Sequence, residues 1–313
     1  MRIKRIAVIG SGTMGNGIAH VFAVAGFDVT LIDVSDTLVQ KAFVTISDNM
    51  KRQVSKGALA PDAMEAAFGR LQGALKPEDA VNAQLVIEAV PENIKLKQDV
   101  FAKPDEACLP DAILATNTSS IPIAKLAAAT SRPKKVIGMH FMNPVPVMKL
   151  VEIIRGTATS DDTYNTIHDL ALKLGKAPVC SSDTPGFISN RVLMPMINEA
   201  VWALHEGVAT KEDIDTVMKL GMNHPMGPLT LADYIGLDTC LSILKVLEDG
   251  LRNPKYAACP LLRKMVDEGR LGRKSGRGFY EYNIGARGAG REVKDKSHPS
   301  TLPRSSSPSS PHP

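Results

Sequence analysis

Residues 5–33, "RIAVIGSGTMGNGIAHVFAVAGFDVTLID", decide the fold at the start of the chain. The apolar run 6–9 predicts a strand buried on both faces, as in a parallel sheet. Glycines follow it in G-x-G-x-x-G spacing and lead into a helical pattern that ends at Gly26. A second apolar run, 29–32, then ends in Asp33. The glycine spacing alone is weak evidence. It becomes specific here because it follows a strand, opens a helix and is followed by a second strand that ends in an acid.

This context predicts a dinucleotide site. The first glycine permits the tight turn, the second lets the backbone approach a pyrophosphate, and the third allows close packing of helix on strand: Gly10, Gly12 and Gly15. Thr13 and Met14 open the helix, whose unpaired N–H groups and dipole favour anions. Asp33 would accept hydrogen bonds from the adenosine ribose and repel a 2′-phosphate. Because no Arg or Lys follows in "DVSDT", the expected cofactor is NAD rather than NADP.

The pattern of strands alternating with helices continues to about residue 181. Further strands are predicted at 85–90, 112–116, 135–141, 149–155 and 177–181. A long helix is expected from the N-cap Ser35 to Gly57. The predicted fold is an α/β, Rossmann-type doubly wound, mostly parallel sheet with helices on both faces. Three polar clusters, at 91–93, 117–120 and 140–144, fall at the carboxyl ends of strands, where such sheets bind ligands.

The chain becomes helical from about Pro185. We expect a cofactor-binding domain over 1–184, an all-helical substrate and dimerisation domain over 185–283, and a disordered tail over 284–313. The helical pattern at 189–207 carries more apolar residues than one buried face requires, which favours a homodimer. The tail is rich in Ser, Pro and Gly, a composition that cannot offset the entropy of ordering it.

Composition excludes several classes of protein. The formal net charge is +4, but the tail holds five Lys/Arg and two Asp/Glu, leaving only +1 for residues 1–283. We therefore expect no nucleic-acid partner. No apolar run approaches the ~20 residues that span a bilayer, and the start of the chain has no targeting pattern. The four cysteines are scattered without metal-ligand spacing. We expect a cytoplasmic protein with free thiols, no bound metal and no membrane partner.

His140 and Glu152 form the candidate catalytic pair. His140 ends a predicted strand, the proline-rich turn 143–146 reverses the chain, and the next strand carries Glu152. A carboxylate on one imidazole nitrogen fixes the tautomer and leaves the other nitrogen to take a proton, which makes a general base. The alternative is a buried hydrogen bond that only pins two strands together.

Three longer motifs resemble a known family. They are "NTSS" at 117–120, "HFMNPVPVMKLVEI" at 140–153 and "DTPGFISNRV" at 183–192. The chain resembles the L-3-hydroxyacyl-CoA dehydrogenases over residues 1 to about 283, most strongly the short bacterial 3-hydroxybutyryl-CoA dehydrogenases. The resemblance implies reversible NAD-linked oxidation of (S)-3-hydroxyacyl-CoA to 3-ketoacyl-CoA in fatty-acid or butanoate metabolism. It also implies dimerisation through the C-terminal domain.

The resemblance also implies site residues. His140 matches the catalytic base, Glu152 its partner, Ser119 a hydroxyl that contacts substrate and cofactor, and Asn190 an amide that polarises the substrate carbonyl. Four residues match positions that contact NAD: Glu92, Lys97, Asn143 and Lys274. Two match or neighbour a CoA contact, Lys56 and Arg52, but both are equally typical of solvated cations at the end of a helix. Asn49 stands where some relatives have serine near CoA. Two alternatives stay open: a dehydrogenase of a free hydroxy acid or sugar acid, and a non-catalytic crystallin-like relative.

Overall fold

The computed structural model describes residues 3–282 and contains a single eight-stranded sheet. The strands are β1 (Arg5–Ile9), β2 (Asp28–Ile32), β3 (Leu71–Ala74), β4 (Leu85–Glu88), β5 (Ile113–Thr116), β6 (Val136–Phe141), β7 (Leu150–Arg155) and β8 (Ala177–Ser182). Their order is β3-β2-β1-β4-β5-β6-β7-β8. Every neighbouring pair is parallel except β6 and β7. The predicted fold class is confirmed; the predicted tail lies outside the described residues.

Within residues 3–282, helices cover both faces of the sheet and make up most of the chain after β8. They are α1 (Thr13–Val24), α2 (Asp36–Ser55), α3 (Pro61–Phe68), α4 (Ile94–Ala107), α5 (Ile123–Ala127), α6 (Asp161–Lys173), α7 (Ser189–His205), α8 (Lys211–Thr216), α9 (Pro228–Ile235), α10 (Leu237–Leu251) and α11 (Pro260–Asp267). As predicted, Ser35 caps α2, its hydroxyl accepting a hydrogen bond from the Leu38 amide. Within 3–282, no helix has the length and apolar character that crossing a membrane requires.

Alternation along β1 explains why the sheet is covered on both sides. Ile6 and Val8 pack into one apolar core with α1, α2 and α6, whereas Ala7 and Ile9 pack into a second core with α4 and α5. Successive side chains of a strand point to opposite faces, so an uninterrupted apolar run requires two covered faces. The apolar run 6–9 therefore requires a layer of helices on each face of the sheet.

The antiparallel pair β6–β7 positions the candidate dyad. His140 lies directly opposite Glu152 in the register of the two strands, and opposed residues of an antiparallel pair share a face. The connecting turn is compact, with the Val147 and Met148 amides both donating to the Pro144 carbonyl. The predicted return of Glu152 to His140 is confirmed.

The helices from α7 onward build a separate core. It includes Met194 and Ile197 of α7 and Leu244 of α10. Two buried carboxylates tie loops to this core. Asp215 accepts hydrogen bonds from the amides of Leu229 and Thr230, and Asp233 accepts them from the amides that follow Gly278. Helices 189–205 and 237–251 thus pack as one helical body beside the sheet.

Candidate active site

A cleft of about 940 Å³ opens at the carboxyl ends of β1, β2 and β4. One wall is the glycine turn, another is the turn between β6 and β7, and a third is one face of α2. The predicted cofactor contacts among its lining residues are Gly10, Gly12, Thr13, Met14, Asp33 and Asn143. Asn49, the residue that departs from some relatives, also lines the cleft.

The glycine turn fits a dinucleotide because two of its glycines have no room for a side chain and the third exposes its backbone to the cleft. Gly10 has φ +99°, and a Cβ there would lie 2.7 Å from the Ala89 carbonyl oxygen. A Cβ on Gly15 would overlap the Gly10 carbonyl oxygen. A Cβ on Gly12, by contrast, would meet nothing within 4 Å. Gly10 and Gly15 are thus needed by the fold itself, whereas Gly12 leaves bare backbone facing open space in the cleft. A pyrophosphate needs such a surface.

Asp33 is fixed at the end of β2 beside this turn. Its Oδ2 accepts hydrogen bonds from the Ser11 amide at 2.7 Å and the Ser11 hydroxyl at 2.6 Å. Its Oδ1 accepts one from the Val34 amide at 2.7 Å. The carboxylate therefore links β2 to the glycine turn and presents negative charge where a ribose would lie. Its contact with a cofactor stays a prediction.

His140 and Glu152 meet as the sequence suggested. The imidazole Nδ1 lies 3.0 Å from Glu152 Oε2, and both residues are buried. Glu152 Oε1 accepts hydrogen bonds from the amides of Ile188, at 2.6 Å, and Ser189, at 3.1 Å. The Ser189 hydroxyl donates to Oε2 at 2.8 Å. Burial opposes ionisation of Glu152, but the hydrogen bonds from His140, Ile188 and Ser189 outweigh it and lower the pKa of the carboxyl.

Glu92 organises the loop that carries Ser119. Its Oε1 accepts hydrogen bonds from the Thr118 hydroxyl at 2.5 Å and from the Ser119 and Ser120 amides, each at 3.1 Å. Burial opposes its ionisation, but the Lys97 charge and the hydroxyl donors outweigh this and lower the pKa of Glu92. Glu92 thus fixes the loop 118–120 through these hydrogen bonds. Its contact with NAD stays a prediction.

Asn190 reaches the same loop from the helical body. Its Nδ2 donates to the Ser119 carbonyl at 3.0 Å. Asn190 directly follows Ser189, whose amide and hydroxyl bind Glu152. The start of α7 therefore joins the Ser119 loop to the dyad, and all four predicted catalytic residues lie in one connected network.

Lys97 lies inside this network rather than at the cleft surface. It is 1% exposed, and its Nζ lies 2.6 Å from Glu88 Oε1 and 3.2 Å from Glu92 Oε2. It also donates to the Val90 carbonyl at 3.1 Å. Its charge is thus engaged by two carboxylates, and the arrangement favours support of Glu92 over direct contact with a ligand.

Three other predicted residues have partners outside the dyad network. Lys274 forms an ion pair with Asp238, at 2.5 Å, in the helical body. Arg52 donates to Asn49 Oδ1 at 2.6 Å, and Lys56 caps the exposed C-terminal end of α2. Their contacts with NAD or CoA stay predictions. Within the described range, no three His, Cys, Asp or Glu side chains cluster as a metal site would need.

The sequence reasoning missed Phe187 and Ser189. Phe187 is buried, has φ +50°, and places its ring edge-on to the His140 imidazole with centroids 6.2 Å apart. Both residues lie in "DTPGFISNRV", the motif that also holds Asn190 and part of the family resemblance. Gly186 before Phe187 and the helical pattern after Ser189 mark a helix start, but neither points to a buried carboxylate as its cap.

Comparison with known proteins places the chain in a family. Residues 5–184 match the family model "3-hydroxyacyl-CoA dehydrogenase, NAD binding domain", and residues 186–282 match "3-hydroxyacyl-CoA dehydrogenase, C-terminal domain". The fold and the cleft define an NAD-binding dehydrogenase with a separate helical domain. The chain belongs to the 3-hydroxyacyl-CoA dehydrogenase family.

Individual relatives are similar over most of their length. A probable 3-hydroxybutyryl-CoA dehydrogenase of Bacillus subtilis is 54% identical over 282 residues, covering 90% of this chain and 98% of the relative. A 3-hydroxybutyryl-CoA dehydrogenase of Bradyrhizobium diazoefficiens is 54% identical over 280 residues, covering 90% and 96%. The crystal structure of (S)-3-hydroxybutyryl-CoA dehydrogenase from Ralstonia eutropha superimposes with a TM-score of 0.88 at 48% identity, covering 90% of this chain and all of that one.

Proposed function

We propose that the protein catalyses NAD-dependent, reversible oxidation of (S)-3-hydroxyacyl-CoA to 3-ketoacyl-CoA, with short-chain substrates such as 3-hydroxybutyryl-CoA. The observation that carries this is the buried His140–Glu152 pair, whose histidine lies on β6, the strand that leads into the turn 143–146, a wall of the cleft. The names of the similar relatives described above support the substrate class.

The chain's own residues suit the two halves of the reaction. Glu152 holds the imidazole through Nδ1, which fixes the tautomer with Nε2 available to take the proton of the 3-hydroxyl. As the proton arrives, the Glu152 carboxylate stabilises the imidazolium. In this proposal the Ser119 hydroxyl and the second N–H of the Asn190 amide hold the substrate oxygens, while the first N–H binds the Ser119 carbonyl.

The cleft residues hold the cofactor in this proposal. Gly12, Thr13 and Met14 offer backbone N–H groups to the pyrophosphate, and Asp33 faces the adenosine ribose. NAD, when bound, supplies the acceptor for the hydride that leaves the 3-carbon. Asn143 lies on the turn between β6 and β7, three residues after His140, and lines the cleft. It is the residue through which the turn would touch the cofactor.

The assembly and the compartment are finer proposals. The helical domain exposes large apolar side chains, among them Val192, Val208 and Leu220, the last 82% exposed. Such a surface favours burial against a second copy, so we propose a homodimer through this domain. Cysteines 108, 180, 240 and 259 are all unpaired thiols, which suits a reducing cytoplasm. Light scattering at micromolar concentration tests the dimer; a mass of one chain would contradict it.

The direct test of function is an assay with NADH and acetoacetyl-CoA, compared with free acetoacetate. We expect NADH oxidation with the thioester and little with the free acid. The variant His140→Gln serves as the control for background turnover. Equal or faster reaction with the free acid would support the hydroxy-acid alternative, and no turnover with any 3-keto substrate would contradict the proposal.

A further inference from the structure

Ser189 stands out because it contacts the dyad twice. The Glu152 carboxylate, itself only 1% exposed, accepts hydrogen bonds from the Ile188 amide, the Ser189 amide, the Ser189 hydroxyl and His140. A carboxylate offers about four lone-pair sites, so these donors saturate it. We infer that Ser189 is a positioning residue whose hydroxyl sets the pH below which the dyad stops accepting a proton. The inference rests on the proposed dyad.

The two oxygens of Glu152 have different tasks. Oε1 binds the first amides of α7, so Glu152 caps a helix that belongs to the other domain. Oε2 is shared by the His140 imidazole at 3.0 Å and the Ser189 hydroxyl at 2.8 Å. Among the described residues, the hydroxyl is thus the one donor that competes with the imidazole for the same oxygen. Removing it leaves the helix cap intact and alters only the oxygen that faces the base.

The chain fixes Ser189 in this place. Phe187 has φ +50° and its amide donates to the Thr184 carbonyl, a sharp turn that aims the next two amides at Glu152. Its ring packs against the imidazole. A left-handed conformation is unfavourable for an aromatic residue, so it persists only where its surroundings enforce it. The hydroxyl therefore approaches Oε2 from a fixed backbone rather than from a mobile loop.

The consequence for the base follows from electrostatics. A carboxylate that loses one donor has more charge available for the remaining one, so it holds the imidazolium proton more firmly. The base then stays protonated to a higher pH. Glu152 faces few other groups: its one ion pair within residues 3–282 is with His140, and β8 places Val179 opposite it. The carboxylate of Asp183, on the same loop, is turned to the amides of Ile123 and Ala124.

The test is the pH profile of kcat/KM for oxidation in Ser189→Ala, Ser189→Thr and the wild type. Because one hydrogen bond is worth about 0.5–1.5 kcal/mol, we expect the acid limb of Ser189→Ala to move up by about 0.5–1 pH unit. Ser189→Thr keeps the hydroxyl and should return the limb to the wild-type position. Ser182→Ala, an exposed serine on β8, is the matched control and should leave the limb unmoved. Should Ser189→Ala fold poorly, Ser189→Val, which has the shape of Ser189→Thr without the hydroxyl, carries the same expectation.

The outcomes separate this inference from the dyad itself. An unmoved acid limb in Ser189→Ala, whatever happens to the melting temperature, would overturn the role of Ser189. So would an equal displacement in Ser189→Thr. Near-normal turnover in His140→Gln would instead overturn the dyad, and it is measured in the same series. A uniform loss of kcat/KM without a shift marks a purely structural serine and also contradicts the inference.

Discussion

The cofactor cleft and the dyad are built in opposite ways. The glycine turn is contiguous in sequence, and it presents backbone to the cleft: its function depends on side chains that are absent. The dyad draws on β6, β7, the Ser119 loop and the start of α7, and it depends on particular side-chain atoms. The cleft should therefore be sensitive to any added side chain, and the dyad to loss of a single titratable group.

The largest effect should come from His140→Gln. Glutamine keeps a hydrogen-bonding side chain of similar reach but cannot act as a base near neutral pH. Because a general base typically contributes ~10²–10⁴-fold, kcat should fall by about that factor. NADH affinity, measured by fluorescence titration, should survive because the glycine turn is untouched. A parallel loss of NADH affinity would show that the two regions are not independent.

Two alanine variants should separate fold from binding within the cleft. Gly15→Ala places a Cβ into the Gly10 carbonyl oxygen, so the melting temperature should drop, by the equivalent of about 1–3 kcal/mol for overpacking. Gly12→Ala meets nothing within 4 Å and should melt like the wild type. Its KM for NADH should nevertheless rise by about tenfold or more, or ~1.4 kcal/mol. Unchanged NADH binding in Gly12→Ala would place the pyrophosphate elsewhere.

Asp33→Ala should change the preference between NAD and NADP more than it changes kcat. Loss of the carboxylate removes acceptors for the ribose and the charge that repels a 2′-phosphate, so NAD should bind roughly tenfold more weakly. NADP should bind relatively better. Ser11→Ala is the control: it removes a hydrogen-bond donor to Asp33 but keeps the carboxylate, so the preference for NAD over NADP should remain. A wild type that turned over NADPH faster than NADH at equal low concentration would contradict this assignment.

The smallest effect should be on acid stability. The pKa of Glu152 is depressed in the folded protein, so its stabilisation is complete above the ordinary carboxyl pKa. It is lost as the pH falls from about 4 through the depressed value. Glu152→Gln should lower the free energy of unfolding by about 0.5–1.5 kcal/mol at neutral pH and by less at acid pH. Urea unfolding across pH would show it; a constant difference between the two proteins at every pH would contradict it.

The sequence anticipated the regions in which local pattern dictates structure. Apolar runs predicted seven of the strands closely, as with 177–181 against Ala177–Ser182. Strand β3 was missed because "LQGA" at 71–74 is half-buried on the sheet edge and has no apolar run to reveal it. The caps of α2 were also readable, because Ser35 and Gly57 act on their own neighbours.

The surroundings of the dyad were less accessible because they depend on contacts between distant segments. The pairing of His140 with Glu152 could be predicted from the single turn between their strands. The hydrogen bond from the Ser189 hydroxyl to Glu152, by contrast, joins residues 37 positions apart and depends on the left-handed conformation of Phe187. Burial of Lys97 could not be foreseen either, since a lysine on a helix ordinarily points to solvent. Its partners come from β4 and the loop after it, and only the folded sheet brings them together.

The central claim is that His140 and Glu152 act as one catalytic unit rather than as a strand pin. A double-mutant cycle on kcat with His140→Gln, Glu152→Gln and the double variant tests it most directly, with melting temperatures measured alongside. Each single variant should lose activity, and the double should be hardly worse than His140→Gln alone, because a carboxylate has little to act on once the base is gone. Losses of kcat that multiply in the double variant, or falls in melting temperature with kcat per folded molecule unchanged, would contradict the account.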